Sequence, residues 1–284
     1  MIVALRKVRT FAGGHSGWIG LVLLAAVILI VMLAPFFGLP DPVRNNLRGR
    51  FAPPSFNFLD LASYPLGGDH LGRDLFSRIV YGGRVSLMIG ALAVGLGGVI
   101  GVVVGLFAGF YKGWVDRILM RLVDVQLSIP LMLLALLVVA ALGPSLQNLI
   151  IVLALTSWVR YARVVRGQVL AVREREFVQS AYSIGVGNLR IIFVHILPNV
   201  LTPVLVIATL ELARVIILEA GMSFLGLGVQ PPWPSWGRML AEGRNYMGTY
   251  PEVSVFPGLA LFITALAVNL SGDWLRDRLD PKLR

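Results

Sequence analysis

A run of 35 residues, Val125–Val159, contains no Asp, Glu, Lys or Arg. A helix crossing a hydrocarbon core needs about 20 residues, so this run is too long for one span. Gly143-Pro144 divides it into two helices joined by a tight turn. Pro130 is expected to kink the first of them. Ser16–Pro40 and Val85–Tyr111 are also uncharged. The chain is 57% hydrophobic and 14% charged, whereas a soluble domain carries about a quarter charged residues. In lipid every backbone polar group must be satisfied internally, which leaves helices as the spanning element here. The expected class is an all-α polytopic membrane protein.

Six spans are expected, at 17–37, 85–111, 118–142, 145–163, 200–222 and 253–272. They form a single domain, 17–284, behind an N-terminal segment 1–16. Residues 41–84 and 223–251 are polar connections on one side. Residues 164–198 and the tail 273–284 lie on the other, with the N-terminus. The first helix is read as uncleaved, because no small-x-small exit follows it. Sixteen of the 25 basic residues fall on the side of the 164–198 loop and eight on the opposite side. The positive-inside rule therefore makes that loop and both termini cytoplasmic. The net charge of +10 then faces anionic lipid and cytoplasmic partners, and nucleic acid is not expected.

Catalytic patterns are missing from the sequence. A phosphate-cradling loop needs Gly-x-x-x-x-Gly-Lys-Ser/Thr, and none of Lys7, Lys112 and Lys282 follows a glycine. No Gly-x-Ser-x-Gly or His-Glu-x-x-His occurs, and His15, His70 and His195 fall in three separate segments. No catalytic, cofactor or metal site is expected. Asp69, His70 and Asp74 are close in sequence, but a solvated face explains them better than a metal site. Asp69 is read as capping a short interfacial helix with Leu71, Leu75, Phe76 and Ile79 on its apolar face. Within the second span, Gly97, Gly101, Gly105 and Gly109 recur four apart, a spacing that lets another helix approach closely. Glu211 and Arg214 share a face of the fifth span and can pair, with Glu219 further along. Charges at membrane depth line a pathway or fix a subunit interface, and both readings stand for these three residues. Trp233 and Trp236 suit a membrane interface.

The segment Glu174–Pro198 is one of the few long polar-containing stretches in the chain. Phe177, Ala181 and Ile184 recur at helical spacing, with Val178 alongside. Gly185 and Gly187 close that short helix. Asn188 can cap a second one over Leu189–Leu197, ended by Pro198. The product is either an ordinary charged loop or a compact docking surface. This segment resembles the cytoplasmic loop of permease subunits in bacterial ATP-binding-cassette importers. The family pattern is Glu-Ala-Ala, three residues, Gly, nine residues, Ile, one residue, Leu-Pro. Ala181, Gly185, Leu197 and Pro198 match it; Gln179, Ser180 and His195 depart. Glu176 lies three residues before the triplet, where the peptide-importer branch usually has a glutamate, and Arg190 follows the turn.

Three further stretches are similar to the dipeptide, oligopeptide and nickel branch. They are Leu71-Gly-Arg-Asp74 with Tyr81-Gly-Gly-Arg84, then Glu219-Ala-Gly-Met-Ser-Phe-Leu-Gly-Leu-Gly228 with Pro231-Pro-Trp-Pro-Ser-Trp-Gly237, and Asn269-Leu-Ser-Gly-Asp273 with Leu275-Arg-Asp-Arg-Leu-Asp-Pro281. Gly68 stands where a threonine is usual. Together they resemble the second, C-type permease of such importers, with a type I importer permease fold. The resemblance implies a heterodimer with a B-type permease, two ATPase subunits that bind the ATP, an external solute-binding protein and a bacterial inner-membrane location. It implies half of a pathway for peptides or a similar small solute, with nickel chelates as an alternative. An ion-coupled transporter would show an internal repeat, and none is detected.

Overall fold

The computed structural model describes the backbone of residues 2–279 and the side chains of residues 17–279 other than 62. The basic residues Arg6, Lys7, Arg9, Lys282 and Arg284, and His15, lie outside the described side chains. Among the described residues ten α-helices follow in order: α1 Ile2–Met32, α2 Leu75–Tyr111, α3 Gly113–Ser128, α4 Leu131–Leu142, α5 Leu146–Arg173, α6 Glu176–Ser183, α7 Asn188–Arg190, α8 Leu197–Phe224, α9 Trp236–Gly243 and α10 Glu252–Leu279. No β-strand occurs among the described residues; Gly68 and Asp74 form an isolated bridge. Four helical runs are long and apolar enough to cross a bilayer: α2, α5, residues 188–224 and α10. The apolar part of α1, Gly17–Met32, and the pair α3–α4 are the other candidates.

Among the described residues α2 and α5 make the most extensive helix–helix contact, and the glycines of α2 explain why. A β-carbon on Gly97 would stand 2.8 Å from the Ala154 carbonyl oxygen, and one on Gly105 2.7 Å from that of Ala162. Gly101 sits against the Trp158 carbonyl and Gly109 against Val169. The four-residue glycine period is thus a single groove on α2 that receives the α5 backbone, as small-residue packing in lipid requires. Tyr161, Leu153, Leu149 and Val152 of α5 then join Ile89 and Ala93 of α2 and Val215 of α8 in one buried cluster.

The region expected as one kinked span, 118–142, is two helices meeting at 87°. Pro130 is the cause. It holds Ile129 in extended backbone (φ −94°, ψ 115°), which a helix cannot continue through. The first helix, α3, is charged on one side and is fixed to α5 by two ion pairs. Arg166 grips Asp116 through Nε at 2.5 Å and Nη2 at 2.6 Å, and Arg163 Nη2 reaches Asp124 at 2.7 Å. Gly143, at φ +79°, makes the turn into α5, whose first residues are capped by Ser145 accepting from Asn148 N.

The interfacial helix expected from Asp69 does not form. Asp74 is the cap, accepting from Ser77 N at 2.6 Å, and Leu75 opens the 37-residue α2. At 1.5 Å per residue α2 is about 55 Å long, well beyond a hydrocarbon core of about 30 Å, so it tilts in the core or extends past it. Asp69 instead enters a buried ionic cluster. Its carboxylate accepts from Arg73 Nε at 2.6 Å and pairs with Arg78. The other carboxylate is Glu242 of α9, which takes Arg73 at 2.8 Å, Arg78 at 2.9 Å and Arg238 at 3.0 Å. Burial pushes the Asp69 and Glu242 carboxyls up, but the Arg78 and Arg73 guanidiniums outweigh it and hold both below the usual range. His70 lies beside them, stacked on Tyr246 at 5.5 Å. With two carboxylates facing three guanidiniums, this is an ionic clamp joining the segment before α2 to α9.

Candidate functional site

Glu176, the first residue of α6, follows directly on the end of α5. The helix buries Val178 and Ala181 against Phe110, Val165, Val169 and Val172. Its C-terminus is a Schellman turn: Val186 N donates to Ala181 O at 3.1 Å and Gly185 N to Tyr182 O at 3.0 Å. Gly185 takes φ +78°, the left-handed value that this closure needs. Gln179 steadies the base of the helix by donating to the Arg173 carbonyl at 3.0 Å. Tyr182 stacks on Phe110 at 5.9 Å.

Past the turn the sequence expectation changes. Gly187, not Asn188, occupies the cap of α7, and no separate second helix ends at Pro198. Instead α7, a π-helical stretch Ile191–Ile196 and α8 run on as one helical rod, 188–224. Pro198 lies in the first turn of α8. A proline there lacks an N–H and crowds the carbonyl four residues back, and the wider π turns lie immediately before it. Ile191, Ile192 and Ile196 are buried in the same cluster as Ala181, with Leu197 half-buried beside them. Arg190 and Pro198 are exposed. The segment is thus a stiff knuckle: its inner face is locked to the helix bundle, and its outer face presents Ile184, 80% exposed, and Leu189, 58% exposed. Phe177, Glu176, Gln179 and Gly185 share that exposed side of the chain.

The charged residues of α8 separate into two sites. Glu211 is 3% exposed and pairs with Arg214 at 3.1 Å, as the spacing predicts. Sequence reasoning missed its second partner, Arg160 of α5, whose Nη1 lies 3.1 Å from the other carboxylate oxygen. Arg160 is read from sequence as ending a span; in the structure α5 continues to Arg173 and places it midway. Glu219 stands apart, wholly buried. Its carboxylate accepts from Ser223 at 2.7 Å, Ser86 of α2 at 3.1 Å and Ser235 at 3.1 Å. Ser235 also caps α9 by accepting from Arg238 N. Trp236, expected at a membrane interface, is 2% exposed and donates to the Ile79 carbonyl at 2.9 Å. Glu219 therefore ties α2, α8 and α9 together, while Glu211 is buried beneath two arginines that reach the surface of the chain.

A cavity of 880 Å³ lies between α5, α8 and α10. Val164, Gln168, Thr202, Ile207 and Leu210 line it, together with Arg175 and Arg276.

Residues 101–284 match the family described as binding-protein-dependent transport system inner membrane component. The chain belongs to this family. The dipeptide transport system permease protein DppC of Alkalihalophilus pseudofirmus is 42% identical over 266 residues, 94% of this chain and 86% of its own length. The glutathione transport system permease protein GsiD of Escherichia coli O6:K15:H31 is 49% identical over 258 residues, 91% of this chain and 84% of its own. A putative peptide transport system permease protein of Brucella suis is 44% identical over 270 residues, 94% of this chain and 88% of its own. Among solved structures, a chain of the inward-facing MetNI methionine ABC transporter superposes with a TM-score of 0.58 at 20% identity, covering 72% of this chain and 96% of that one. That likeness shows the fold.

Proposed function

We propose that this chain is the C-type permease of an ATP-driven importer in the bacterial inner membrane, forming half of the path for peptides or a similar small solute. The observation that carries the reading is the knuckle at Gly185. A short helix closed by a positive-φ glycine and braced from behind by Phe110, Val169 and Ile192 is rigid enough to transmit force. Its outer face offers exposed Ile184 and Leu189 for a groove in another protein. Glu176, Gln179, Ala181, Gly185, Arg190, Leu197 and Pro198 form this coupling element. ATP binds to two partner ATPases, which move the knuckle and so the rod 188–224 that continues from it. A B-type permease completes the pathway, and an external binding protein delivers the solute. This chain supplies no catalytic group and binds no cofactor of its own. Both termini and the 164–198 loop are cytoplasmic; 41–84 and 223–251 are outside.

Purification of the tagged chain from its native membrane tests the reading. An ATPase subunit and a second permease should be recovered with it. A chain that purifies alone and still moves solute would overturn the proposal.

A further inference from the structure

Arg160 and Arg214 share one carboxylate. Arg214 Nη1 donates to one oxygen of Glu211 at 3.1 Å and Arg160 Nη1 stands 3.1 Å from the other as an ion pair, so the triad keeps a net charge of +1. The Glu211 side chain is 3% exposed, but the Arg160 and Arg214 side chains are 53% and 32% exposed. A guanidinium has five N–H donors in a planar fork, and most of them here remain open. Arg160 and Glu211 are each the fifteenth residue of a 28-residue helix, which puts the triad about 20 Å from either end of α5. Within a membrane-spanning helix such charges face protein or a water-filled path rather than lipid. The lining of the 880 Å³ cavity includes Leu210 and Ile207, one residue and one turn from Glu211, and Val164, one turn from Arg160, while the triad's own side chains are not part of it. Its two charged lining residues, Arg175 and Arg276, are both basic.

We propose that Arg160 and Arg214 form a carboxylate-binding subsite in the solute path, which takes the C-terminal carboxylate of a passing peptide. The proposal rests on the permease reading above and adds the chemistry that the path selects. Glu211 is the positioning residue. It holds two guanidiniums at one depth with their free edges outward and lowers the net charge, so that an anion is held weakly enough to leave. A cavity of this volume is within the usual range for a small organic ligand. The basic lining down to Arg276 gives the anion a favourable exit toward the cytoplasm.

The test uses the complete importer in proteoliposomes with a saturating amount of its binding protein. The probes are alanyl-alanine and its C-terminal amide. Uptake of each is measured for wild type, Arg160→Gln, Arg214→Gln and Arg160→Lys, with ATP hydrolysis recorded alongside. The binding protein is common to all, so its own preference cancels in the comparison. Each glutamine variant should lower the acid-to-amide uptake ratio about tenfold, the discrimination carried by one charge-assisted hydrogen bond. Arg160→Lys should recover part of the ratio. Equal slowing of acid and amide would overturn the subsite and assign the arginines to packing or to a carboxylate of the partner permease. A wild-type importer that carries neither probe while hydrolysing ATP would remove the peptide reading itself, and the subsite with it.

Discussion

Gly105 of α2 lies so close to Ala162 of α5 that a β-carbon on the glycine would stand 2.7 Å from the Ala162 carbonyl oxygen. No rotamer change relieves a contact with backbone, so a side chain there must push the two helices apart. Gly105→Val should cost about 1–3 kcal/mol, the usual range for overpacking, and lower the melting temperature and yield of the purified permease. Gly95, in the same helix with open space around it, is the control: Gly95→Ala should change stability by less than about 0.5 kcal/mol. Equal effects at both positions would show that the glycine groove is not what holds α2 to α5.

The triad at Glu211 predicts a non-additive pair. Removing either arginine leaves the buried carboxylate one partner. Removing both leaves it none, and an uncompensated buried charge costs about 3–5 kcal/mol. Arg160→Ala and Arg214→Ala should therefore each reduce the amount of folded protein modestly, and the double variant by more than their combined effect. Additive losses would mean that Glu211 does not depend on them.

What is legible in the sequence depends on where the partners lie. The groove of Gly97, Gly101, Gly105 and Gly109, the turn at Gly143 and the Glu211–Arg214 pair are local, and a period of four or a spacing of three reveals them. Arg160 to Glu211, Ser86 to Glu219 and Asp69 to Glu242 are tertiary contacts, and no spacing rule reaches across 51, 133 or 173 positions. Asp69 reads as a cap because an aspartate before an apolar run carries the same local signal as Asp74, five residues later. Pro198 reads as a stop because a proline one turn into a helix and one after its end look alike in sequence.

Asp74 gives a pH signature outside the membrane. Burial pushes its carboxyl up to about 6, from an ordinary value of 3.8, and one of its oxygens lacks a partner among the described residues. The folded chain thus binds this proton more tightly than the unfolded one. The contribution is fully present below about pH 4 and is lost as pH rises through about 6, an effect on the order of 3 kcal/mol. Asparagine caps α2 without ionising. The melting temperature of Asp74→Asn relative to wild type should therefore rise between pH 4.5 and 7.5. Asp69 and Glu242, which are held low and act in the opposite sense, are common to both proteins. Parallel melting profiles would show that Asp74 does not titrate in this range.

At Gly185 the obstacle is backbone strain and not space. The residue has φ +78°, and nothing lies within 4 Å of the place a β-carbon would take, so a β-branched side chain is penalised by conformation alone. Gly185→Val should insert and assemble, yet hydrolyse ATP without import. Gly185→Asn, which tolerates left-handed backbone, should retain most uptake. Normal uptake by the valine variant in whole cells would rule out a coupling role for this turn.

Coupling to ATP requires that the Gly185 knuckle face the cytoplasm, where an ATPase can reach it, while the external segment faces away. The chain has no cysteine, so single cysteines report without background. Ile184 is 80% exposed and Leu59 fully exposed, so neither is hidden by its own chain. Ile184→Cys and Leu59→Cys are treated with a membrane-impermeant thiol reagent in intact cells and again after the membrane is opened. Position 59 should label in intact cells, and position 184 only after opening. Labelling of position 184 in intact cells as readily as position 59 would contradict the topology, and the coupling mechanism with it.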